Sequence, residues 1–305
     1  MLRRLFSFIL FLLVAVVLAA IILPFVIPET VYRDQAQQAA SENLGREVTL
    51  AGEVSLRILP RVQIEAHDVT IANAEGFGET PFAEMREMRV GVQLWPLLSR
   101  NVVIEEFVLV EPTIRLEQRG NRNNWTLGRS EPSAASPASG EWVRQPGALP
   151  FEASLGDFRI VDGFISYADG GQTREIDGLD LTIHMPGLDQ PLEIEGELSA
   201  DGEAMTLAAR LGSLRGFFEG EEVDARLDLG GDLIDLGFDG VIPAGEALRY
   251  DGRLTVDIPS IRELADFAGS PLPPGDSLQR FAFSGQLRGG LSDISLDASG
   301  SGGRI

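Results

Sequence analysis

Residues 192–211 read LEIEGELSADGEAMTLAARL, and this stretch carries the pattern that most of the chain repeats. Apolar residues occupy alternate positions on both sides of the turn sequence Ala200-Asp201-Gly202. A period of two predicts β-strands with one apolar and one polar face, and the turn residues between the runs predict that the strands are antiparallel neighbours.

The same alternation recurs along most of the chain. It is found in residues 48–58, 88–94, 179–185, 192–198, 205–211, 223–229, 234–238, 248–258 and 294–298. We therefore predict a mainly β protein built on a twisted, mostly antiparallel sheet with a few short helices. Because few helices are available to cover the apolar face, that face must close on itself, pack on a second sheet or hold an apolar ligand.

A weak repeat lies inside this pattern. The sequence Gly-x-(Leu or Val) occurs in mid-strand at Gly52, Gly196, Gly252 and Gly285, and each glycine takes a position on the apolar face. Glycine at such positions permits a bulge or close coiling of the strands, so we expect the sheet to curve there.

Three segments depart from the strand pattern. Residues 29–44 are rich in helix formers and precede Gly45, which predicts a helix, with residues 29–45 forming a helix or linker. Residues 260–268 predict a short helix that begins with a Ser260–Glu263 capping box. Residues 129–150 are rich in Ser, Pro and Ala and predict a surface loop.

The N-terminal segment predicts a membrane anchor. From Leu5 to Pro28 the chain contains no charged residue. This segment is long enough to cross a bilayer as one helix, which includes Leu5, Phe11, Leu18, Ile22 and Ile27. Two arginines precede this segment, so the positive-inside bias places the N-terminus in the cytoplasm. A cleaved signal peptide is the alternative, but its apolar core is usually only about 7–15 residues long.

The composition excludes several kinds of function. The chain has 25 basic residues, all arginine, against 46 acidic residues, and its net charge is −21. Such a balance argues against nucleic acid as a partner, because neutralising phosphates needs a basic surface. Without cysteine or lysine the chain has no thiolate and no Schiff-base chemistry, and its two histidines, His67 and His184, lie far apart in sequence. We expect no catalytic residue, no metal site and no cofactor.

The residues from Gly45 to Trp125 resemble the N-terminal region of AsmA family proteins. The matching features are Gly52-x-Val54-x-Leu56, Leu59-Pro60, Asp68-Val69 to Asn73, Gly76-Phe77, Trp95-Pro96-Leu97-Leu98, Pro112 with Ile114 and Leu116, and Asn124-Trp125. Residues 158–169 and 256–269 also look like later parts of this family. The combination is specific, although no single motif is.

The resemblance implies a protein of a Gram-negative envelope, anchored in the inner membrane by a single pass with its body in the periplasm. It also implies an elongated sheet folded along its length into an apolar groove. Family members are typically longer, so we expect this chain to be an incomplete member. The expected organisation is an anchor at 1–28, a helix or linker at 29–45, an AsmA-like β region at 46–128, a loop at 129–150 and a continuing β region at 151–305.

Three hypotheses of function follow. The first is that the groove carries or supports the transfer of phospholipid toward the outer membrane, contributing to outer-membrane biogenesis. The predicted lining residues are Val54, Leu56, Ile58, Val90, Val92, Leu94, Leu181, Ile183, Leu207, Leu227, Leu236, Leu254 and Val256. The second is a non-enzymatic factor in outer-membrane protein assembly or targeting, with other envelope proteins as partners. The third is a hydrolase with paired carboxylates, but the adjacent pairs Glu105-Glu106 and Glu221-Glu222 have diverging side chains, which disfavours it.

Overall fold

The structure, a computed structural model, describes residues 29–58, 61–93, 96, 103–120, 122–127, 155–169, 171–270, 272, 280–290 and 294–298. The predicted anchor at 1–28, the predicted loop at 129–150 and Leu94 lie outside these residues. Within the described part of the chain, no helix is both long enough and apolar enough to cross a bilayer.

The described strands include the predicted alternating runs, and further strands lie between them. The helices are α1 (Glu29–Leu44), α2 (Leu214–Glu219) and α3 (Ile261–Phe267). The strands are β1 (Val48–Leu50), β2 (Val54–Arg57), β3 (Val62–Ile71), β4 (Ala83–Val92), β5 (Ile104–Val110), β6 (Thr113–Arg119), β7 (Arg122–Asn123), β8 (Leu155–Asp169), β9 (Gln172–Met185), β10 (Leu192–Ala200), β11 (Glu203–Leu211), β12 (Val223–Gly231), β13 (Asp235–Ile242), β14 (Arg249–Ile258), β15 (Phe281–Gly290) and β16 (Ile294–Ala298). The fold is therefore mainly β, as predicted.

All of these strands belong to one large twisted sheet. Its main path is β1-β3-β4-β5-β8-β9-β10-β11-β12-β13-β14-β15-β16, and β2 pairs with β3 beside β1. The described strand pairs are antiparallel except at β8, which runs parallel to both β5 and β6. The sheet is thus mixed, and the hairpin predicted at residues 192–211 is present as β10 and β11.

Two of the predicted features of the helices are confirmed. Helix α1 has the predicted bounds, and Gly45 after it takes a left-handed conformation with φ of 64°. Helix α3 begins after Ser260, whose hydroxyl accepts a hydrogen bond from the Glu263 amide at 3.2 Å. Helix α2 was not predicted, because six residues between two strands are too few to show a helical period.

Helix α1 covers the first edge of the sheet. The Val48 amide of β1 donates to Ser41 Oγ at 3.0 Å, and the Leu50 amide donates to Gln37 Oε1 at 3.2 Å. Arg33 Nη2 donates to the Gly52 carbonyl at 3.0 Å. These side chains, one per helical turn, satisfy edge groups that would otherwise be free to pair with another strand.

The hydrophobic core lies between α1 and the first half of the sheet. Its most buried members are Val48, Val54, Ala66 and Val69, each no more than 2% exposed. The α1 side chains that pack against it recur every fourth residue: Tyr32, Ala36, Ala40 and Leu44. That spacing places them on one helix face, so α1 completes the core while its neighbouring polar residues cover the edge.

A line of left-handed residues crosses this half of the sheet. Asp68, Glu111, Asp162 and Gly178 have φ between 50° and 53°. The first three lie in one line across neighbouring strands. In the strand register, Asp68 and Glu111 lie on either side of Arg86 of β4, and Asp162 of β8 lies beside Glu111. Arg86 Nε donates to Glu111 Oε1 at 2.8 Å, which joins β4 to this line.

These residues reverse the alternation within each strand. Ala66 and Val69 are three residues apart, an odd spacing, yet each is only 1% exposed and belongs to the core. Ile160 and Ile165 flank Asp162 in the same way. A left-handed residue in mid-strand shifts the pleat by one position, so apolar residues of both parities can face the same core.

The predicted curving glycines allow close approach of neighbouring strands. A Cβ added at Gly196 would lie 2.7 Å from the Asp180 carbonyl oxygen, and one at Gly252 would lie 2.7 Å from the Gly240 Cα. A Cβ at Gly240 would be closer still, 2.4 Å from the Gly252 Cα. Gly240 and Gly252 are direct partners on β13 and β14, so neither position can accept a side chain without moving the backbone.

We expect Gly240→Ala to lower the free energy of unfolding by about 2–3 kcal/mol, because backbone atoms rather than flexible side chains meet the new methyl group. Gly187→Ala is the matched control, since the nearest atom to a Cβ there is Gln190 Nε2 at 3.8 Å. Urea denaturation monitored by circular dichroism measures both variants. Equal midpoints for the two would contradict the close approach of β13 and β14.

Candidate functional site

The strand register arranges the apolar residues in two rows that run across the sheet, perpendicular to the strands. Row 1 consists of Leu56, Ile64, Val90, Phe107, Phe158, Ile183, Ile194, Ala209, Leu227, Phe238, Leu254 and Gly285. Row 2 consists of Val54, Ala66, Met88, Leu109, Ile160, Leu181, Gly196, Leu207, Leu229, Leu236, Val256 and Phe283. Each residue is the direct register partner of the next, so all members of both rows share one face.

The structure brings most of the predicted lining residues together in these rows. Row 1 contains Leu56, Val90, Ile183, Leu227 and Leu254 of that prediction. Row 2 contains Val54, Leu181, Leu207, Leu236 and Val256.

Two other predicted lining residues lie near the rows. Val92 is two residues beyond Val90 on β4 and pairs with Val62 and Ile104. Ile58 follows the end of β2 and is half-buried. Ten of the predicted lining residues therefore share one face of the sheet.

The exposure of the residues in the two rows increases along the sheet. In row 2, Val54 and Ala66 are each 1% exposed, and Ile160 is 7% exposed, because they belong to the core beneath α1. From Leu207 onward the members of row 2 are half-buried and none belongs to the core cluster. Leu227 of row 1 is 36% exposed. The second half of the sheet thus presents an uncovered apolar face in the part of the chain that the structure describes.

This face offers almost nothing to a polar ligand. No side chain in either row carries nitrogen or oxygen. Strands β10 to β14 each have a neighbour on both sides, so their backbone amides and carbonyls are used within the sheet. The polar groups of a peptide lying on this face would lose their hydrogen bonds to water without gaining others. A hydrocarbon chain makes no hydrogen bonds with water and would therefore lose none.

The opposite face is charged. Cross-strand ion pairs join Arg210 to Glu193 and Arg226 to Asp239, which are direct register partners. On β8, Arg159 Nη2 lies 2.5 Å from Glu106 Oε1 of β5. Because the Arg210–Glu193 and Arg226–Asp239 pairs are exposed, each adds little stability, and their main effect is to keep this face hydrated.

A depression of about 650 Å³ follows β11 to β15. Five of its lining residues belong to row 2, namely Leu207, Leu229, Leu236, Val256 and Phe283. The other ten alternate with them and share the opposite, polar face, among them Thr206, Asp228, Asp235 and Asp257. A Cβ added at Gly230 would lie 2.8 Å from Thr206 Oγ1 and 3.4 Å from Asp235 Oδ1, so the depression lies on the polar face of the sheet.

Among the residues that the structure describes, Glu65, His67 and Glu87 form a group that could hold a metal ion. Their ligand atoms lie within 4.8 Å of one another on β3 and β4. Arginines already neutralise the carboxylates, since Arg89 Nε donates to Glu87 Oε1 and Arg57 lies 3.9 Å from Glu65. The guanidinium groups thus provide the positive charge that a metal ion would supply, and the cluster acts as a salt-bridge network. His184 is elsewhere, with Nδ1 2.7 Å from Asp157 Oδ1.

Glu87 is the buried charge of this network, being 7% exposed. Its hydrogen bond from Arg89 holds the pKa of the Glu87 carboxyl below its usual range, against the opposing effect of burial. A depressed folded-state pKa stabilises the fold above the unfolded pKa, near 4.3, and this contribution is lost as pH falls through the lower folded pKa.

We therefore expect Glu87→Gln to be less stable than the parent chain at neutral pH, by about 1.5–3 kcal/mol. The difference should shrink below about pH 4.3, where the Glu87 carboxyl of the unfolded parent chain takes up a proton, and shrink further as the folded-state carboxylate is protonated at lower pH. Urea denaturation at several pH values measures this, with Glu197→Gln on the exposed polar face of β10 as the control. A stability difference that stays constant down to pH 2 to 3 would contradict the assigned pKa direction.

Several members of the open face were not selected from the sequence. Leu229 and Phe238 lie in rows 2 and 1 between selected residues, and Phe283 follows Val256 at the end of row 2. Leu229 and Phe238 already followed the alternation, and their register partners could have identified them. The line of left-handed residues was also missed, although Asp162-Gly163 and Asp177-Gly178 place turn sequences inside strands.

Comparison with models of known protein families gives a match. The model of the AsmA family matches residues 1–239. This range includes the core, the line of left-handed residues and the two rows as far as β13. No curated protein and no solved structure matches the chain.

Proposed function

The chain belongs to the AsmA family, and from this premise we propose that its uncovered apolar face binds the acyl chains of phospholipid during transfer from the inner toward the outer membrane. Family membership indicates an envelope-related function. In this proposal residues 1–28 anchor the protein in the inner membrane with the N-terminus in the cytoplasm, and the sheet lies in the periplasm.

The observation that supports the proposal most directly is the continuity of rows 1 and 2 from β10 to β15. Over these six strands the face is apolar and is not covered by any residue that the structure describes, and strands β10 to β14 each pair with a neighbour on both sides. At a strand spacing of about 4.8 Å, the rows extend for roughly 24 Å. One leaflet of a bilayer core is about 15 Å thick, so an extended acyl chain fits within this length.

The energetics suit a carrier. Each CH₂ group removed from water contributes about 0.8 kcal/mol, so a chain lying along the rows would be held firmly. Successive members of each row offer similar contacts, so neighbouring positions have similar affinity. A lipid could then move along the sheet without a large barrier, and no bond needs to be made or broken.

Native mass spectrometry with lipid extraction tests the proposal. The part of the chain after residue 28 would be released from membranes without detergent, and its bound lipid identified. We expect near-stoichiometric phospholipid. A folded protein that carries no lipid would overturn the proposal, and capture of outer-membrane assembly proteins in its place would favour the alternative of an assembly or targeting factor.

A further inference from the structure

The two apolar rows are continuous in register, but they are not equally accessible. In row 2, Val54, Ala66, Leu109 and Ile160 are 1–9% exposed and belong to the core. In row 1, Ile64, Phe107 and Phe158 pack against that core. From β10 onward neither row contributes a member to it. The boundary therefore falls at β9, where Leu181 packs on the core and Ile183 does not.

The closed part is firmly packed. The rings of Phe107 and Phe158 stack with centroids 5.5 Å apart and planes 9° from parallel. Helix α1 packs Tyr32, Ala36, Ala40 and Leu44 against the same core, and it is tied to the edge through Arg33, Gln37 and Ser41. Admitting an acyl chain here would require displacement of these contacts.

Beyond the boundary the face needs no such displacement. Leu207, Leu236 and Val256 are half-buried, and Leu227 is 36% exposed. The path from β1 to β10 crosses six strand spacings, which is roughly 29 Å at about 4.8 Å per strand. The uncovered face thus begins well away from the edge that α1 covers.

We propose that acyl chains contact this protein only from β10 onward, and that the rows on β2 to β8 are a plug that keeps lipid from entering at the α1 end. The inference rests on the proposed function. It means that a lipid reaches the sheet from the side, near β9 and β10, and does not slide in along α1.

Phe107 and Phe238 provide a matched pair for the test. Both are half-buried phenylalanines of row 1, one on β5 inside the plug and the other on β13 beyond it. The photoreactive analogue p-benzoylphenylalanine would replace each in the full chain. The chain would be reconstituted in vesicles of radiolabelled phosphatidylethanolamine, irradiated, and the label on the protein counted.

We expect at least about tenfold more label at position 238 than at position 107, because lipid reaches position 107 only when the core opens. Equal labelling, or more labelling at 107, would overturn the plug while leaving the lipid-binding proposal intact. No label at either position, together with no extractable lipid, would overturn the proposed function itself. Circular dichroism confirms that each variant is folded, and the same analogue at Phe283, also beyond the plug, repeats the comparison.

Discussion

Replacing Val256 with glutamate is expected to reduce bound phospholipid by at least about a hundredfold, because a carboxylate on the apolar face must be dehydrated against hydrocarbon. Val256 lies in row 2 between Leu236 and Phe283, on the fifth of the six strands that carry the uncovered face. Its side chain is half-buried and outside the core cluster, so the fold should tolerate the substitution.

The control for this prediction is the neighbouring residue. Thr255 is exposed and points to the opposite face of β14, so Thr255→Glu adds the same charge without touching the rows. Lipid extraction followed by mass spectrometry measures both variants. If Val256→Glu and Thr255→Glu retain equal amounts of lipid, the apolar face is not where the acyl chains lie.

Replacing Asn124 with aspartate is expected to lower the free energy of unfolding by about 3–5 kcal/mol, the largest effect on stability that we predict. The Asn124 side chain is fully buried, at 0% exposure. Its Nδ2 donates to the Arg115 carbonyl at 2.8 Å and to Asn73 Oδ1 at 3.0 Å, while its Oδ1 accepts from the Glu117 amide at 2.7 Å. Aspartate has the same shape but turns two donated bonds into contacts between acceptors.

The adjacent residue gives a matched control. Asn123 Oδ1 accepts hydrogen bonds from the Thr126 amide at 3.1 Å and from its hydroxyl at 2.7 Å, so Asn123→Asp preserves both. Urea denaturation followed by tryptophan fluorescence suits this region, because Trp125 packs near Tyr167 with ring centroids 6.0 Å apart. Similar midpoints for the two aspartate variants would show that the donor role of Asn124 is unimportant.

Much of the strand content could be predicted because the sequence alternates so regularly. The alternating runs, such as 192–198 and 205–211, correspond to strands, although the run at 48–58 is divided between β1 and β2, and the bounds of α1 follow from its composition and Gly45. The residues that line the two rows were also largely predictable, since alternation determines which side chains share a face of a strand.

Two features could not be predicted from periodicity. The parallel pairing of β8 with β5 and β6 joins segments that are about fifty residues apart, and no local pattern records which strands become neighbours. The left-handed residues Asp68, Glu111 and Asp162 lie in one line across neighbouring strands. The sequence of a single strand does not show which residues of other strands lie beside it.

The sequence by itself determined that this protein is a β-sheet with one apolar face and that its chain is acidic, because alternation and composition are local properties. Only the tertiary structure decided which part of the apolar face becomes core and which part stays open. The same pattern of residues is buried at Val54 and half-exposed at Val256. The difference comes from α1, which packs on the core at one end of the face, and from the left-handed residues, which let side chains of both parities join that core.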